Sequence, residues 1–372
     1  MTASPLKPYV TISLTDACNM RCVYCPPAGE NYQTPHAVFE LKKLDGVLRT
    51  IADLEVSKIR FTGGEPLLYP HLRAAMLYAS HLGLEIHVNT NGLLLEKHID
   101  WLPQIPNLFI KVSLDAHTDR AMRRVNGVAA AEKVLRGLRL GAEKGLVQRI
   151  NLVLTQLNFD QIPGIHALCK ELGIGMKIFD MFPVPETEKI WQALYAPPDA
   201  LSLKGTPAPP YAYTQKYGTP TREKMVDGVH VRIKNCFDGT HYHQVCKDCK
   251  AFPCPEGLYC LLVTPSLTVV PCRLGMQLHR PCQNFSELFQ YLHEGMEMYA
   301  DSFYLNRYGE QHGAFYAQRL AERQNQDCHN AEFHRLGRQI EVSAPPWSPQ
   351  RKRTQITPRA MFPGLFSRES IS

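Results

Sequence analysis

Six short apolar runs, separated by five longer amphipathic segments, set the tightest limit on how this chain can fold. The runs are residues 9–14, 59–61, 85–89, 108–113, 149–154 and 176–181. Helical patterns near residues 42–54, 71–82, 97–102, 129–144 and 159–172 lie between them. Strands that alternate with helices read as βαβ units on a parallel sheet, so the fold class expected is α/β. In parallel α/β barrels, chemistry gathers on the loops that leave the C-terminal ends of the strands. Several polar motifs of this chain fall at those ends.

The first is Cys18-Asn-Met-Arg-Cys22-Val-Tyr-Cys25, straight after the first run. Thiolates are the ligands of iron–sulfur clusters, and three on one tight loop can each hold one iron of a [4Fe-4S] cube. A closed structural site supplies four ligands, whereas three leave one iron open. Buried structural thiols, or part of a zinc site, would give the same letters. A zinc ribbon, however, shows paired C-x2-C knuckles rather than C-x3-C-x2-C.

The second run ends in Thr62-Gly63-Gly64-Glu65-Pro66, where two glycines let the backbone approach a ligand closely. An ordinary strand-to-helix turn is the plainer reading. The third ends in Asn89-Thr90-Asn91-Gly92 and the fourth in Ser113-Leu114-Asp115. Both put small hydrogen-bonding groups at the same face, and both also suit turns for backbone reasons. Arg149 opens the fifth run and Met181 closes the sixth. A lone Met there is ordinarily core filler and a lone Arg a solvated charge.

The cysteine spacing is the signature of the radical SAM enzymes, and the chain resembles them. The resemblance implies a partial (β/α)6, TIM-like barrel. It also implies that S-adenosylmethionine (SAM) chelates the open iron through its amino and carboxylate groups. One electron from the cluster would cleave the sulfonium, and the 5′-deoxyadenosyl radical would take a hydrogen from substrate. The protein binds, orients and shields.

Residues 9–181 resemble, more closely, the GTP 3′,8-cyclase family of molybdenum-cofactor biosynthesis. The shared stretches are Ser13-Leu-Thr-Asp-Ala-Cys-Asn-Met-Arg-Cys-Val-Tyr-Cys, Ile59-Arg-Phe-Thr-Gly-Gly-Glu-Pro-Leu-Leu, Val112-Ser-Leu-Asp and Ile150-Asn-Leu-Val-Leu. By that similarity Tyr24, Gly64, Ser113 and Met181 contact SAM. Gly63, Glu65 and Pro66 line its amino group, with Glu65 facing the ammonium, and Asn91 serves its ribose or carboxylate. Arg60 and Arg149 match positions that present a cation to substrate. Three substrate-reading features are absent. Thr11 stands where the family has an Arg, Lys250-Ala-Phe-Pro253 replaces an Arg-x-Arg element, and the chain ends Ser367-Arg-Glu-Ser-Ile-Ser372 instead of in Gly-Gly. Cations facing a triphosphate make strong, charge-assisted bonds. Their loss implies the shared radical machinery acting on another substrate.

The core barrel is expected over residues 1–182. Prolines interrupt any long helix in residues 183–235, which read as a linker or substrate loop. Residues 236–283 hold Cys246, Cys249, Cys254, Cys260 and Cys272, flanked by Cys236 and Cys282. This tract resembles the twitch or SPASM extensions, which hold an auxiliary [4Fe-4S] cluster. The expected ligands are Cys246, Cys249, Cys254 and Cys272, whether all four bind or three do. A zinc knuckle using His241 or His243 is the competing reading. Residues 284–342 read as C-terminal helices, with Cys328-His329 incidental. Residues 343–372, with Arg351-Lys352-Arg353, read as a basic, flexible tail.

The net charge of +6, from 41 basic and 35 acidic residues, favours anionic small molecules without demanding nucleic acid. The N-terminus shows no secretory signal, and no apolar run is long enough to span a membrane. Twelve cysteines in such a chain point to metal or redox use and a cytoplasmic setting. A small-molecule substrate and an electron donor such as flavodoxin or ferredoxin are the expected partners. Three alternatives stand beside this reading. The first is a literal GTP cyclase. The second is a SPASM-type peptide maturase, against which the short stretch before the first strand weighs. The third is a non-catalytic zinc protein that binds nucleic acid, with affinity falling steeply in salt.

Overall fold

The structure is a computed structural model that describes residues 7–25, 37–183 and 188–327. All six expected strands form: β1 (Val10–Ser13), β2 (Lys58–Thr62), β3 (Glu85–Thr90), β4 (Leu108–Ser113), β5 (Val147–Leu154) and β6 (Gly175–Asp180). They pair in that order, each parallel to the next. Between them run α1 (Leu41–Asp53), α2 (Leu72–His81), α3 (Leu95–His98), α4 (Asp119–Asn126), α5 (Ala131–Glu143) and α6 (Ile162–Leu172). The result is the α/β arrangement expected of a partial barrel.

Side chains alternate across each strand, and here the two faces differ in kind. Ile59, Phe61, Ile86, Val88, Ile110, Val112, Ile150 and Ile178 join the main core with Leu44, Leu48 and Leu138 of the helices. The opposite face carries Thr11, Arg60, His87, Lys111, Arg149 and Lys177, one from each strand in turn. One step along the strands, at the C-terminal end, it carries Ser13, Thr62, Asn89, Ser113 and Asn151. A sheet packed on both faces reads as continuous apolar runs. This sheet is apolar only toward its helices.

Residues 183–235 are not the linker that their prolines suggested. They form α7 (Glu188–Leu194), β7 (Thr206–Pro207), α8 (Ala212–Lys216), β8 (Thr221–Val226) and β9 (Val229–Lys234). β9 lies parallel to β6 and extends the sheet, while β8 folds back on β9. The turn is Asp227-Gly228, with φ of 45° and 81°. That is the left-handed pair a tight two-residue hairpin needs. The prolines fall outside β8 and β9, where no ladder hydrogen bond is lost.

The other edge is extended from far along the chain. β10 (Thr240–Tyr242) pairs with β14 (Phe303–Leu305) in a separate two-stranded sheet. β11 (Leu261–Val263) lies parallel to β1, followed by β12 (Thr268–Val270) and β13 (Arg280–Pro281), both antiparallel. The C-terminal cysteine tract is thereby joined to the strand that carries the N-terminal one. Each outer strand, β13 and β7, is two residues long and ends in proline, which discourages edge-to-edge pairing. The helices α9 (Phe285–Ala300) and α10 (Arg307–Asp327) match the expected C-terminal helical patterns. Cys328-His329 and the basic tail lie outside the described residues. Among the described residues, no helix is long and apolar enough to cross a membrane.

Candidate active site

The cysteine loop is held by backbone on two sides. Gly64 N donates to Thr15 O at 2.7 Å and Glu65 N to Ala17 O at 2.8 Å. Gly63 has φ of 137°, and a Cβ there would lie 2.1 Å from Thr15 O; one on Gly64 would lie 2.3 Å from Ala17 O. Only glycine permits this approach. On the other side Arg21 N donates to Asn126 O and Val23 N to Val125 O, each at 2.9 Å, so the end of α4 grips the loop.

The motif residues divide into those that face outward and those that brace. Glu65 is fully buried. Its carboxylate accepts from Leu67 N at 3.0 Å, Thr90 Oγ1 at 2.6 Å and Asn91 N at 2.8 Å. Through those bonds Glu65 ties the β2 loop to the β3 loop. Pro66 is buried behind it, and the backbone of Gly63 and Gly64 stays partly exposed. Asn91 Nδ2 donates to Asn19 Oδ1 at 2.7 Å and lies 3.8 Å from Cys18 Sγ. Asp115, on the cavity wall, is buried and accepts from Tyr24 Oη at 2.6 Å, Asn126 Nδ2 at 2.7 Å and Val153 N at 2.8 Å. The three donors hold its carboxylate in place from inside.

A cavity of about 320 Å³ opens at the C-terminal ends of the strands. Tyr24, Cys25, Ser113 and Met181 line it, together with Thr62, Asn89 and Asn151. Met181 is 3% exposed and packs with Trp191 and Tyr195, so it is core filler that also borders the cavity. Charged groups on the wall include Arg60, Lys234 and Arg273, with Asp115, Asp180 and Glu256 opposed. Burial pushes the Asp180 carboxyl up to about 6, against the pull of Lys234.

On the next layer down the strands are Lys111, Arg149 and Lys177. Burial, then the Arg149 charge, holds Lys111 well below the usual lysine value. Burial likewise brings Lys177 to about 8. Arg149 is not the solvated charge that its isolation suggested. It is partly buried, donates to Asn151 Oδ1 at 3.0 Å, and is lowered to about 10 by burial and then by Arg232. Among the described residues, no carboxylate lies within ion-pairing distance of Arg60, Lys111, Arg149, Lys177 or Lys234, whereas Lys58 and Arg232 have Glu85 and Glu223. Tyr259, on the cavity wall, sits 5.7 Å from Arg60 and 5.2 Å from Lys234, measured at its ring. Burial favours its neutral form, but Lys177 and Arg60 outweigh that and lower it.

A second, smaller pocket is lined by Cys246, Cys249, Cys254 and Cys272. Two sulfurs already accept backbone N–H groups: His243 N to Cys246 Sγ and Gly257 N to Cys254 Sγ, both at 3.4 Å. Burial raises the Cys254 thiol to about 11 and raises Cys246 and Cys272 as well. Buried thiols of this kind ionise when a metal takes the proton's place. Four sulfurs around one pocket, with N–H donors aimed at them, fit an iron–sulfur cluster. At the N-terminal triplet, Asn126 Nδ2 likewise lies 3.2 Å from Cys22 Sγ. Neither His241 nor His243, the histidines of the zinc alternative, lines this pocket. Cys236 and Cys282 pack in other clusters. Leu274 lines both the small pocket and the cavity, so the cavity lies between the two cysteine sites.

The sequence reading missed Lys111, Lys177, Lys234, Tyr259 and Arg273. Lys111 and Lys177 carried a signal: each is a charge within a mainly apolar strand, two residues before a cavity residue on the same face.

Residues 12–169 match the family model described as the radical SAM superfamily. The chain is 25% identical over 276 residues to a probable GTP 3′,8-cyclase of Methanococcus maripaludis, covering 72% of this chain and 91% of that protein. It is 32% identical over 188 residues to the GTP 3′,8-cyclase of Peptoclostridium acidaminophilum, covering 49% of this chain and 58% of that protein. Among solved structures, Streptococcus suis SuiB bound to precursor peptide SuiA matches with a TM-score of 0.55 and 16% identity, over 77% of this chain and 64% of that one. Native anSMEcpe with bound AdoMet matches with a TM-score of 0.51 and 14% identity, over 87% of this chain and 100% of that one. At these identities the structural likeness speaks for the fold alone.

Proposed function

Taking residues 12–169 as a radical SAM domain and the chain as a radical SAM enzyme homologous to the GTP 3′,8-cyclases, we propose that it abstracts hydrogen from a small anionic substrate held between two cysteine sites. The observation that carries this reading is the set of buried cations without carboxylate partners at and beneath the cavity: Arg60, Lys111, Arg149, Lys177 and Lys234. Leaving charge buried and unpaired is strongly unfavourable. An anionic ligand in the cavity would relieve that penalty directly at Arg60 and Lys234, which line it, and the nucleotide-, nucleoside- or sugar-like class supplies one.

When bound at Cys18, Cys22 and Cys25, the [4Fe-4S] cluster supplies the electron that cleaves SAM to methionine and a 5′-deoxyadenosyl radical. The chain's own residues bind and aim. Tyr24, Ser113 and Met181 offer contacts to SAM at the cavity mouth, and the backbone of Gly63 and Gly64 stays open beside the loop. Arg60 and Lys234 draw the substrate's anionic part toward the strands, which leaves its carbon framework near Cys25. Cys246, Cys249, Cys254 and Cys272 are the ligands proposed for a second cluster across the cavity. An external one-electron donor of flavodoxin or ferredoxin type, and a cytoplasmic setting, belong to the same proposal. Thr11, in place of an Arg, argues for a substrate other than GTP.

Label transfer tests the substrate class. The loaded enzyme is incubated with SAM, reductant and deuterated nucleotides, sugar phosphates or GTP, and the deuterium in 5′-deoxyadenosine is read by mass spectrometry. Transfer from a non-GTP anion, lost in Arg60→Leu, is expected. Transfer only from GTP would make the chain a GTP cyclase, and transfer only from a peptide would sink the small-anion reading.

A further inference from the structure

The cysteine loop and α4 meet at one side-chain amide. Asn126, the last residue of α4, is 4% exposed. Its Nδ2 carries two hydrogens, and both have acceptors: Asp115 Oδ2 at 2.7 Å and Cys22 Sγ at 3.2 Å. Its backbone carbonyl receives Arg21 N, and the next residue, Gly127, turns left-handed at φ of 73°. A Cβ on Gly127 would sit 2.9 Å from Arg21 O, so the helix must end here for the loop to lie against it.

Asp115 fixes which way the amide points. Flipping the Asn126 side chain would set its oxygen against a carboxylate oxygen at the same short distance, exchanging attraction for repulsion. Asp115 is itself held by Tyr24 Oη, Val153 N and, through its backbone carbonyl, Asn158 Nδ2 at 3.0 Å. The N–H that faces Cys22 is therefore set by a carboxylate that cannot swing away. Asp115 alone would press negative charge on Cys22, and the amide stands between them.

The geometry points to Asn126 as a positioning residue that donates an N–H···S hydrogen bond to Cys22 and so raises the reduction potential of the cluster this triplet would hold, with Asp115 orienting the donor. Hydrogen bonds to cluster sulfurs are one of the protein's levers on potential. The reduced cluster carries one more negative charge than the oxidised one, and a donor at a ligand sulfur favours the more negative state. Tyr24 and Cys22 hang on the same carboxylate, so one network holds a cluster ligand and a cavity wall residue. This inference rests on the reading of Cys18, Cys22 and Cys25 as cluster ligands.

The test is a redox titration of anaerobically reconstituted wild type, Asn126→Leu and Asn126→Gln. The signal followed is the reduced-cluster electron paramagnetic resonance that changes when SAM is added, with iron content and thermal unfolding read beside it. Asn126→Leu keeps the branched outline and lacks the donor. Its midpoint should fall by about tenfold in the reduced-to-oxidised ratio, 59 mV for a one-electron couple. Asn126→Gln keeps an amide on a longer stem and should fall in the same direction by less; it decides the case if the leucine variant unfolds. Either variant with wild-type iron and a wild-type midpoint overturns the inference. Loss of iron in both variants with unchanged unfolding also overturns it, because Asn126 would then serve assembly and not potential. A wild type that shows no SAM-sensitive signal would instead remove the reading of the triplet.

Discussion

Arg60 donates from Nη2 to Thr11 Oγ1 at 2.9 Å, between residues that are register partners on β2 and β1. The position where the cyclases resembled here carry an Arg has become an acceptor for a neighbouring one. Thr11→Val removes that acceptor from a buried guanidinium and should lower stability by about 1.5–3 kcal/mol, the range for hydrogen bonds to charged groups. Thr11→Arg sets two guanidinium groups against each other and should also destabilise the ligand-free protein. Chemical denaturation of the two variants checks both. A Thr11→Arg chain as stable as wild type would mean that Arg60 does not depend on this contact.

The cations beneath the cavity predict a variant that is better folded and worse at binding. Lys111→Met should raise the stability of the ligand-free protein by about 1–3 kcal/mol, the scale of one unsatisfied buried group. It should also weaken binding of anions such as pyrophosphate. Destabilising charge kept for binding is a familiar exchange of stability for function. Calorimetric titration with pyrophosphate, beside a melting curve, reads both halves. Lower stability with unchanged anion binding would contradict the role given to Lys111.

His87 governs an acid limb of stability. Its Nε2 lies 2.5 Å from Glu85 Oε1, a contact that would favour the charged ring. Burial and then the Lys111 charge outweigh it and hold the imidazole at about 3, so a neutral ring donates to Glu85. A group whose folded pKa lies below its unfolded value adds stability that is complete above the unfolded value and is lost on acidification. For His87 the loss begins near 6.5 and runs toward 3, on the order of 5 kcal/mol at full extent. Glu85, lowered to about 2, acts in the same direction, but only at lower pH. Glu65 and Asp180, raised by burial to about 7 and about 6, titrate in the same window with the opposite sign, so the histidine is read from the difference between wild type and His87→Gln between pH 6.5 and 5. The slope should flatten in His87→Gln, and an unchanged slope would place the titration elsewhere.

Gly64 bears on cluster loading. Gly64→Ala drives a methyl to within 2.3 Å of Ala17 O and 2.5 Å of Asp16 O, both backbone atoms of the cysteine loop. The loop must move, and the triplet with it. Iron should fall from about eight atoms per chain to about four, as expected if one of two four-iron clusters is lost. Full iron with normal SAM cleavage would show that the loop tolerates the shift.

Much of the fold was readable because its signals are local. Apolar runs and helical periods gave six strands and their order, and C-x3-C-x2-C singled out the loop after β1. The hairpin at Thr221–Val226 and Val229–Lys234 was readable too, from Asp227-Gly228 between two valines, but the prolines around it drew the reading toward a linker. Other features depend on pairings that no local pattern encodes. Glu65 turns inward because Thr90 and Asn91 wait for it across the sheet. Asp115 meets Tyr24 from ninety-one positions away. Lys111 and Lys177 become one layer only once β4, β5 and β6 lie side by side. The four cysteines of the small pocket could be picked from the resemblance of their tract, while the absence of His241 and His243 from that pocket could not be read.

The central claim is that Cys18, Cys22 and Cys25 form a site at which SAM is reductively split beside the cavity. The most direct measurement is 5′-deoxyadenosine, quantified after the anaerobically reconstituted protein meets SAM and dithionite. The wild type should form it, and Cys18→Ala, Cys22→Ala and Cys25→Ala should each fall to the level of a protein-free control. Continued scission at the wild-type rate in any one of the three would contradict the account.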